Sequence, residues 1–192
     1  MAEKDRNIHP DEDPQLIARL RDASTCRNAM NDVIRKYSQP LYWQIRRLVQ
    51  KHEDADDILQ NTFIKAWMSI ENFRGEAKLA TWLYKIALNE SLTFLSKEQK
   101  RNQVYMDKPE DYIHETIEAD EWVDGDETSL LLRKAIATLP EKQRIVFNMR
   151  YFDEMKYEEI SEILGTSTGA LKASYHLDVK KIEQYIEENS IL

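Results

Sequence analysis

The segment from Tyr157 to Lys180 constrains the fold most, because it holds two helical patterns separated by one glycine. In the first pattern, Tyr157, Ile160 and Leu164 recur at helical spacing and form one apolar stripe. Gly165 follows directly, and glycine most easily takes the left-handed conformation that ends a helix. The first helix is therefore predicted to stop at this glycine.

A second helix is predicted to begin almost at once, with Ser167 or Thr168 capping its free amide groups. Its inner side carries Leu171, Ser174 and either Leu177 or Asp178, three or four residues apart. Its outer face carries basic residues at intervals of four: Lys172, His176 and Lys180. Two short helices joined by a tight turn predict a helix-turn-helix whose outer face fits a DNA groove. An ordinary helical hairpin with a solvated lysine stripe is the alternative for this segment alone.

Composition favours an all-α fold for the whole chain. Of the 192 residues, only four are glycine and five are proline, which leaves little turn chemistry for a sheet protein. Long segments repeat their apolar residues with a period near 3.6, whereas runs of strict alternation are few.

The acidity of the chain is concentrated in one segment. Residues 107–127 hold ten acidic residues and one lysine, a net charge of −9, and subtracting this from the total of −8 leaves +1 for the rest. The overall charge therefore does not argue against binding to nucleic acid.

Other features of the sequence bear on location and on metal or cofactor chemistry. Cys26 is the single cysteine, so no internal disulfide is possible. No apolar run approaches the roughly 20 residues that span a bilayer, and the charged start lacks an apolar signal segment. We expect a cytoplasmic location without membrane insertion. We expect no metal or cofactor either, because the four histidines are scattered: His9, His52, His114 and His176.

Read in order, the chain predicts two small helical domains joined by an acidic linker. Residues 1–101 form the N-terminal domain, 102–128 the linker and 129–192 the C-terminal domain with the helix-turn-helix. Within the first domain, one helix is expected over 26–37 and a new one from Pro40, since proline is tolerated at a helix start.

Residues 52–73 predict an amphipathic helix. Its apolar face is expected to hold Ala55, Ile58, Leu59, Thr62, Ala66, Trp67 and Ile70. The opposite face presents Asp57, Gln60, Asn61 and Ile64. A further helix from about Thr81 has Trp82, Leu83 and Ile86 on its core side and Lys85 and Asn89 on its polar side.

Three segments in a fixed order resemble the bacterial RNA polymerase sigma factors of the compact, extracytoplasmic-function type. They are DADDILQNTFIKAW, FRGEAKLATWLYKIALN, and LPEKQRIVF followed by YEEISEILGTSTGALKASYH. The resemblance implies two all-helical domains and a protein that makes core RNA polymerase specific for promoter DNA, rather than an enzyme. An anti-sigma factor is a further candidate partner.

The resemblance also assigns roles to individual residues. The polymerase-docking positions are Asp57, Gln60 and Asn61. The positions that open and read the minus-ten element are Arg74, Gly75, Glu76, Lys78, Lys85 and Asn89. Trp82 is a candidate stacking surface, although its spacing with Leu83 and Ile86 favours burial.

The second helix of the helix-turn-helix is expected to read the minus-thirty-five element. Its residues nearest the bases are Ser167, Thr168 and Ala170, with Lys172, Tyr175 and His176 beside them. The family usually carries several arginines after the lysine, where this chain has Ser174, Leu177 and Val179. Fewer positive charges release fewer counterions, so we expect weaker intrinsic DNA affinity in this half.

Two other functions remain as alternatives. A stand-alone helix-turn-helix regulator would bind duplex DNA specifically without polymerase. A helical enzyme would need a catalytic cluster, and neither Cys26 nor the histidines show one in sequence.

Overall fold

The structure is a computed structural model that describes residues 14–49, 51–73, 77–102 and 127–190. Within those ranges every regular element is a helix, which confirms the all-α prediction. The N-terminal elements are α1 (Pro14–Arg21), α2 (Cys26–Arg46), α3 (His52–Ser69), a 3-10 turn (Ile70–Asn72) and α4 (Leu79–Asn102). The C-terminal elements are α5 (Glu127–Ala137), α6 (Glu141–Tyr151), α7 (Tyr157–Leu164) and α8 (Thr168–Asn189). Most of the predicted acidic linker lies outside the described residues.

The N-terminal helices pack around α2, which contacts α1, α3 and α4. Fully buried alanines, among them Ala29, Ala55 and Ala66, stand at the helix contacts. Small side chains at such positions let helix axes approach closely, and larger residues such as Leu41 and Leu83 fill the remaining space. This bundle presents the outer faces of α3 and α4 to the surroundings.

Pro40 lies inside α2 and does not start a new helix, so the prediction of a helix boundary there is wrong. Proline removes one backbone hydrogen bond and usually kinks a helix. Here every fourth residue of α2 on both sides of Pro40 is buried: Ala29, Val33, Tyr37, Leu41 and Ile45. Burial of this continuous stripe against the neighbouring helices outweighs the local cost of the proline.

The helix-turn-helix is confirmed at α7 and α8. Gly165 takes the left-handed conformation with φ of 65°, and its amide donates to the carbonyl of Ser161 at 2.8 Å. Ser167 then caps α8, because its hydroxyl oxygen accepts from the amide of Ala170 at 3.3 Å. The sequence prediction left Ser167 and Thr168 as alternative caps, and the structure selects Ser167.

The inner side of α8 contains a buried carboxylate. Asp178 is fully buried, whereas Leu177 is 52% exposed, so the aspartate is the residue that faces inward. Burial raises the pKa of Asp178, although the Ser174 hydroxyl donates to its Oδ2 at 3.4 Å and acts in the opposite direction. A second core beneath this helix holds Ala135, Ile136, Leu139, Phe147 and Ile182.

The two groups of helices also pack against each other. Helix α7 lies against α4. Residues of the C-terminal half join the main N-terminal core in one continuous apolar cluster: Ile145, Val146, Met149, Met155, Ile160, Ile163 and Leu171.

Candidate protein and nucleic-acid interfaces

The outer face of α3 carries the three residues that sequence analysis assigned to polymerase docking. Asp57, Gln60 and Asn61 are all exposed, while Ile58 between them and Thr62 directly after them are buried. The Thr62 hydroxyl donates to the carbonyl of Ile58 at 2.8 Å, so this buried polar group is satisfied within the helix. The three side chains therefore project from a rigid helix whose opposite side is fixed in the core.

An open groove of about 560 Å³ lies next to these residues, between α2 and α3. Three large apolar side chains that line this groove are partly exposed to solvent: Ile34 is 37%, Trp67 43% and Ile64 49% exposed. Gln60 lines the groove as well, so the predicted polar face and this apolar surface are continuous. The full lining is Arg27, Met30, Asn31, Ile34, Gln60, Phe63, Ile64 and Trp67.

Trp67 lines this groove and not the core, so the assignment of Trp67 to the core face of α3 is wrong. Successive helical residues are about 100° apart, and Trp67 directly follows the fully buried Ala66 at the centre of the apolar stripe. It therefore stands at the edge of the stripe, while Phe63 occupies an inward position at 9% exposure. Sequence reasoning missed this groove, and its one local signal was Ile64 among the polar residues.

The polar face of α4 places two predicted minus-ten residues together. Lys85 and Asn89 are both exposed and lie one helical turn apart. Arg74, Gly75 and Glu76 lie outside the described residues. Trp82 is half-buried, with its ring centre 5.1 Å from that of Phe73, so its packing against the core is the stronger feature.

Lys78, the remaining candidate for the minus-ten element, is engaged in an ion pair. Its Nζ lies 3.1 Å from Oε1 of Glu159 in α7, and its side chain is 47% exposed. The structure therefore holds the Lys78 side chain against the C-terminal helices.

The start of α8 brings most of the predicted minus-thirty-five residues to the surface. Ser167, Ala170, Lys172 and His176 are exposed, and Thr168 is half-buried. The Nζ atom of Lys172 lies 5.6 Å from the ring centre of Tyr157 in α7, a cation–π contact that orients the lysine.

Tyr175 differs from these residues because its ring packs inward. It stacks on Phe147 with ring centres 5.6 Å apart and meets Tyr157 edge to face at 6.5 Å. Burial raises the pKa of its hydroxyl, and the neighbouring Tyr157 acts in the same direction. Its assigned DNA contact stays a prediction, and its evident role is to fix α8 on the C-terminal core.

The described part of the chain was compared with the requirements of a membrane span and of a metal site only through its own helices and side chains. None of its helices is long and apolar enough to cross a membrane. The same ranges place no three His, Cys, Asp or Glu side chains where they would hold a metal ion.

Comparison with known families covers both groups of helices. Residues 33–101 match the sigma-70 region 2 family, and residues 129–182 match the sigma-70 region 4 family. The first match includes α3 and most of α4. The second includes the helix-turn-helix.

Individual proteins are similar over most of their length. The RNA polymerase sigma factor YlaC of Bacillus subtilis is 31% identical, over 81% of this chain and 92% of its own. The ECF RNA polymerase sigma-E factor of Haemophilus influenzae is 29% identical, over 91% and 95%. The sigma factor RpoE of Bartonella quintana, solved with the anti-sigma factor NepR, shares the fold with a TM-score of 0.62 at 20% identity, over 83% of this chain and 97% of that one.

Proposed function

Because this chain belongs to the RNA polymerase sigma factors of the extracytoplasmic-function type and serves promoter-specific transcription initiation, we propose that α3 is its docking helix for core RNA polymerase. The groove between α2 and α3 carries this proposal. It combines exposed apolar side chains with the polar Gln60, and Asp57 and Asn61 are exposed on the same helix. An apolar centre with a polar rim is the arrangement that stable protein interfaces use.

The occupant that we propose for this groove is the helical clamp segment of the largest polymerase subunit. An amphipathic helix buries its apolar face in such a groove. Ile64 and Trp67 supply apolar contact area, and Gln60 at their edge supplies hydrogen bonds that set the register. A solvated helix face, the alternative for Asp57, Gln60 and Asn61 alone, does not account for the exposed tryptophan beside them.

For the minus-ten element we propose that α4 reads DNA after the bases have left the stack. Asn89 has an amide that can pair with a base edge, and Lys85 one turn away offers a charge for a phosphate. The cost of unstacking a base is a few kcal/mol, which contacts of this kind offset. Lys78, Arg74, Gly75 and Glu76 complete the proposed surface.

For the minus-thirty-five element we propose that α8 enters the major groove with its N-terminal end. Ser167, Thr168 and Ala170 then meet base edges, while Lys172 and His176 face phosphates. The exposure of this end of α8 supports the assignment. Helix α8 carries few positive charges, so its intrinsic affinity for DNA is low. Promoter binding by the C-terminal half therefore depends on tethering to polymerase.

The remaining assignments follow from family membership. We propose that residues 1–101 and 129–192 act as the two functional domains and that the segment between them connects them. The protein then works in the cytoplasm with the polymerase and carries out no catalytic step itself. An anti-sigma factor is its proposed regulator, by analogy with the complex of the Bartonella quintana protein with NepR.

Polymerase binding tests the central assignment. The double variant Asp57→Ala with Gln60→Ala should weaken binding to core polymerase at least tenfold and lower promoter-directed transcription in parallel. The control is Glu183→Ala with Glu187→Ala, which removes two exposed polar groups one turn apart on α8. Both variants should keep wild-type helicity by circular dichroism. Unchanged polymerase affinity of the α3 variant would refute docking through this face.

A further inference from the structure

The methionines of the described ranges differ widely in exposure. Met30, Met149 and Met155 are buried, at 5%, 2% and 3% exposure. Met68, in the last turn of α3, is 76% exposed, the highest value among the large apolar side chains that the structure describes. A dissolved reagent therefore reaches the sulfur of Met68, whereas the packed core keeps it from the other three sulfurs.

Met68 belongs to the outer stripe of α3 that carries proposed docking residues. Asp57, Asn61, Ile64 and Met68 follow one another at intervals of four, three and four residues, so they lie on one face of the helix. All four are exposed. A partner that covers Asn61 and Ile64 therefore also reaches Met68, one helical turn further along.

Exposed apolar side chains are concentrated on this side of the molecule. Of the six large apolar side chains that are exposed in the described ranges, four belong to α2 and α3: Ile34, Ile64, Trp67 and Met68. A grouping of this kind marks a protein interaction surface, unlike apolar residues that are exposed singly. Met68 extends this surface beyond the residues that line the groove.

Oxidation changes the chemistry of a thioether on such a surface. Methionine is flexible and polarisable, which suits an apolar contact with a partner. Hydrogen peroxide transfers one oxygen atom to the sulfur: the O–O bond breaks, the sulfur loses two electrons and becomes a sulfoxide, and the peroxide leaves as water. Methionine sulfoxide reductases reverse this step, because two thiols become a disulfide and the oxygen leaves as water.

The sulfoxide makes one point of the outer face of α3 polar. In the free protein the added oxygen is hydrated, and the exposed position of Met68 leaves the core of the bundle unchanged. In a docked interface the same oxygen loses its water, and this costs free energy unless a hydrogen-bond donor of the partner replaces it. Oxidation of Met68 therefore weakens binding to this face without changing the fold.

We propose that Met68 is an oxidation site for small diffusible peroxides, and that its reversible conversion to the sulfoxide weakens docking of this chain on core RNA polymerase. The inference rests on the proposed function, since it takes the outer face of α3 as the docking face. A thiol-dependent methionine sulfoxide reductase is the class of enzyme that restores binding.

Peptide mass spectrometry after exposure to hydrogen peroxide tests the site. In the free protein, the sulfoxide should form at Met68 at least tenfold faster than at Met30, Met149 or Met155. In the complex with core polymerase, the rate at Met68 should fall at least fivefold, because the partner covers this side chain. Equal rates at Met68 and at the three buried methionines, or no protection by polymerase, would overturn the proposal.

Polymerase affinity tests the consequence of oxidation. The free protein is treated with hydrogen peroxide and then with dithiothreitol, which reduces oxidised Cys26 but leaves a sulfoxide in place. Its affinity for untreated core polymerase should fall at least fivefold and should return after treatment with methionine sulfoxide reductases. Circular dichroism should show the same helicity before and after oxidation.

Two substitutions at Met68 and one matched control identify the residue. Met68→Leu should have the same affinity before and after peroxide, because leucine has no sulfur. Met68→Gln places a polar group at the same position and should bind at least fivefold more weakly than the wild type without peroxide; glutamine and methionine have similar helix propensities. Met155→Leu removes a buried sulfur and should still lose affinity at least fivefold on oxidation. A loss on oxidation as large in Met68→Leu as in the wild type would refute control through Met68.

The outcomes separate this inference from the proposed function. If Asp57→Ala with Gln60→Ala binds polymerase weakly but the oxidised wild type binds unchanged, docking through α3 stands and the inference is overturned. If that double variant binds normally, docking through this face fails. A loss on oxidation that Met68→Leu abolishes then still supports Met68 as a site that controls polymerase binding, and absence of that loss overturns it. A chain that binds no polymerase in its reduced form overturns both.

Discussion

Asp153 is buried against the guanidinium of Arg47, 106 residues earlier in the chain. Removing one partner of such a pair leaves a charge without compensation in a site with little water. The Arg47→Ala variant should therefore lose about 3 kcal/mol of the free energy that holds the two halves together. Urea unfolding should resolve two transitions in the variant and one in the wild type.

The matched control for Arg47→Ala is Arg35→Ala. Arg35 is 83% exposed and lies 3.9 Å from Asp32, so its loss should change the free energy of unfolding by no more than about 0.5 kcal/mol. A single unchanged transition in Arg47→Ala would show that the buried pair does not couple the halves.

The turn of the helix-turn-helix allows a matched pair of glycine substitutions. Gly165 has a positive φ of 65°, and no atom lies within 4 Å of the position that a Cβ would take. The cost of Gly165→Ala is therefore conformational, about 1 kcal/mol. Gly169 lies within α8 and also has open space, so Gly169→Ala should be neutral or stabilise by up to about 1 kcal/mol. Thermal unfolding measures the change in stability of both variants. Equal changes would contradict the left-handed conformation of Gly165.

Asp178 should make stability depend on pH. Burial raises its pKa in the folded state, so the folded protein binds this proton more tightly than the unfolded chain does. Stability is then lost as the pH rises from about 4 through the folded pKa, and the full cost applies above the folded pKa.

The variant that tests this dependence is Asp178→Asn. It should raise the free energy of unfolding at pH 7 and flatten the decline above about pH 4, because an amide has no charge to desolvate. Glu183→Gln on the exposed side of α8 should leave the pH profile unchanged. If the free energy of unfolding fell more steeply with pH in Asp178→Asn than in the wild type, the folded structure would be stabilising the charged form of Asp178.

Substitutions in α4 and in α8 should affect DNA binding in different ways, the first at one base position and the second at all promoters. Asn89→Ala should lose about 1 to 3 kcal/mol of discrimination at one minus-ten position, since an amide contact to a base edge is specific. The loss should persist on a promoter already mismatched across the minus-ten bases, because opening is then no longer required. Full rescue on that template would place Asn89 among the residues that melt DNA.

Lys172→Ala should weaken binding to all promoters alike, because a phosphate contact carries no sequence information. The slope of log affinity against log salt should become shallower by about one. A change confined to one promoter position would identify Lys172 as a base reader instead. Glu187→Ala, near the other end of α8, is the control and should leave the slope unchanged.

The sequence alone determined the helices and the helix-turn-helix, because local signals specify them. Tyr157, Ile160 and Leu164 form an apolar stripe at helical spacing and are followed by Gly165. Few structures other than a helix that ends at this glycine fit that pattern. The exposed face of α3 with Asp57, Gln60 and Asn61 followed from the same periodicity. The tertiary structure confirmed these features, and the comparisons confirmed the family.

Only the tertiary structure decided which boundary residues face inward. At the edge of a stripe, a rotation of about 100° separates core from surface, and neighbouring helices determine the outcome. Trp67 thus turned outward to the groove, Asp178 took the inward place instead of Leu177, and Pro40 stayed within a helix that burial keeps continuous. Arg47, Asp153 and Glu159 carried no local signal at all, since a charged side chain is normally solvated and its buried partner is fixed by packing between distant segments.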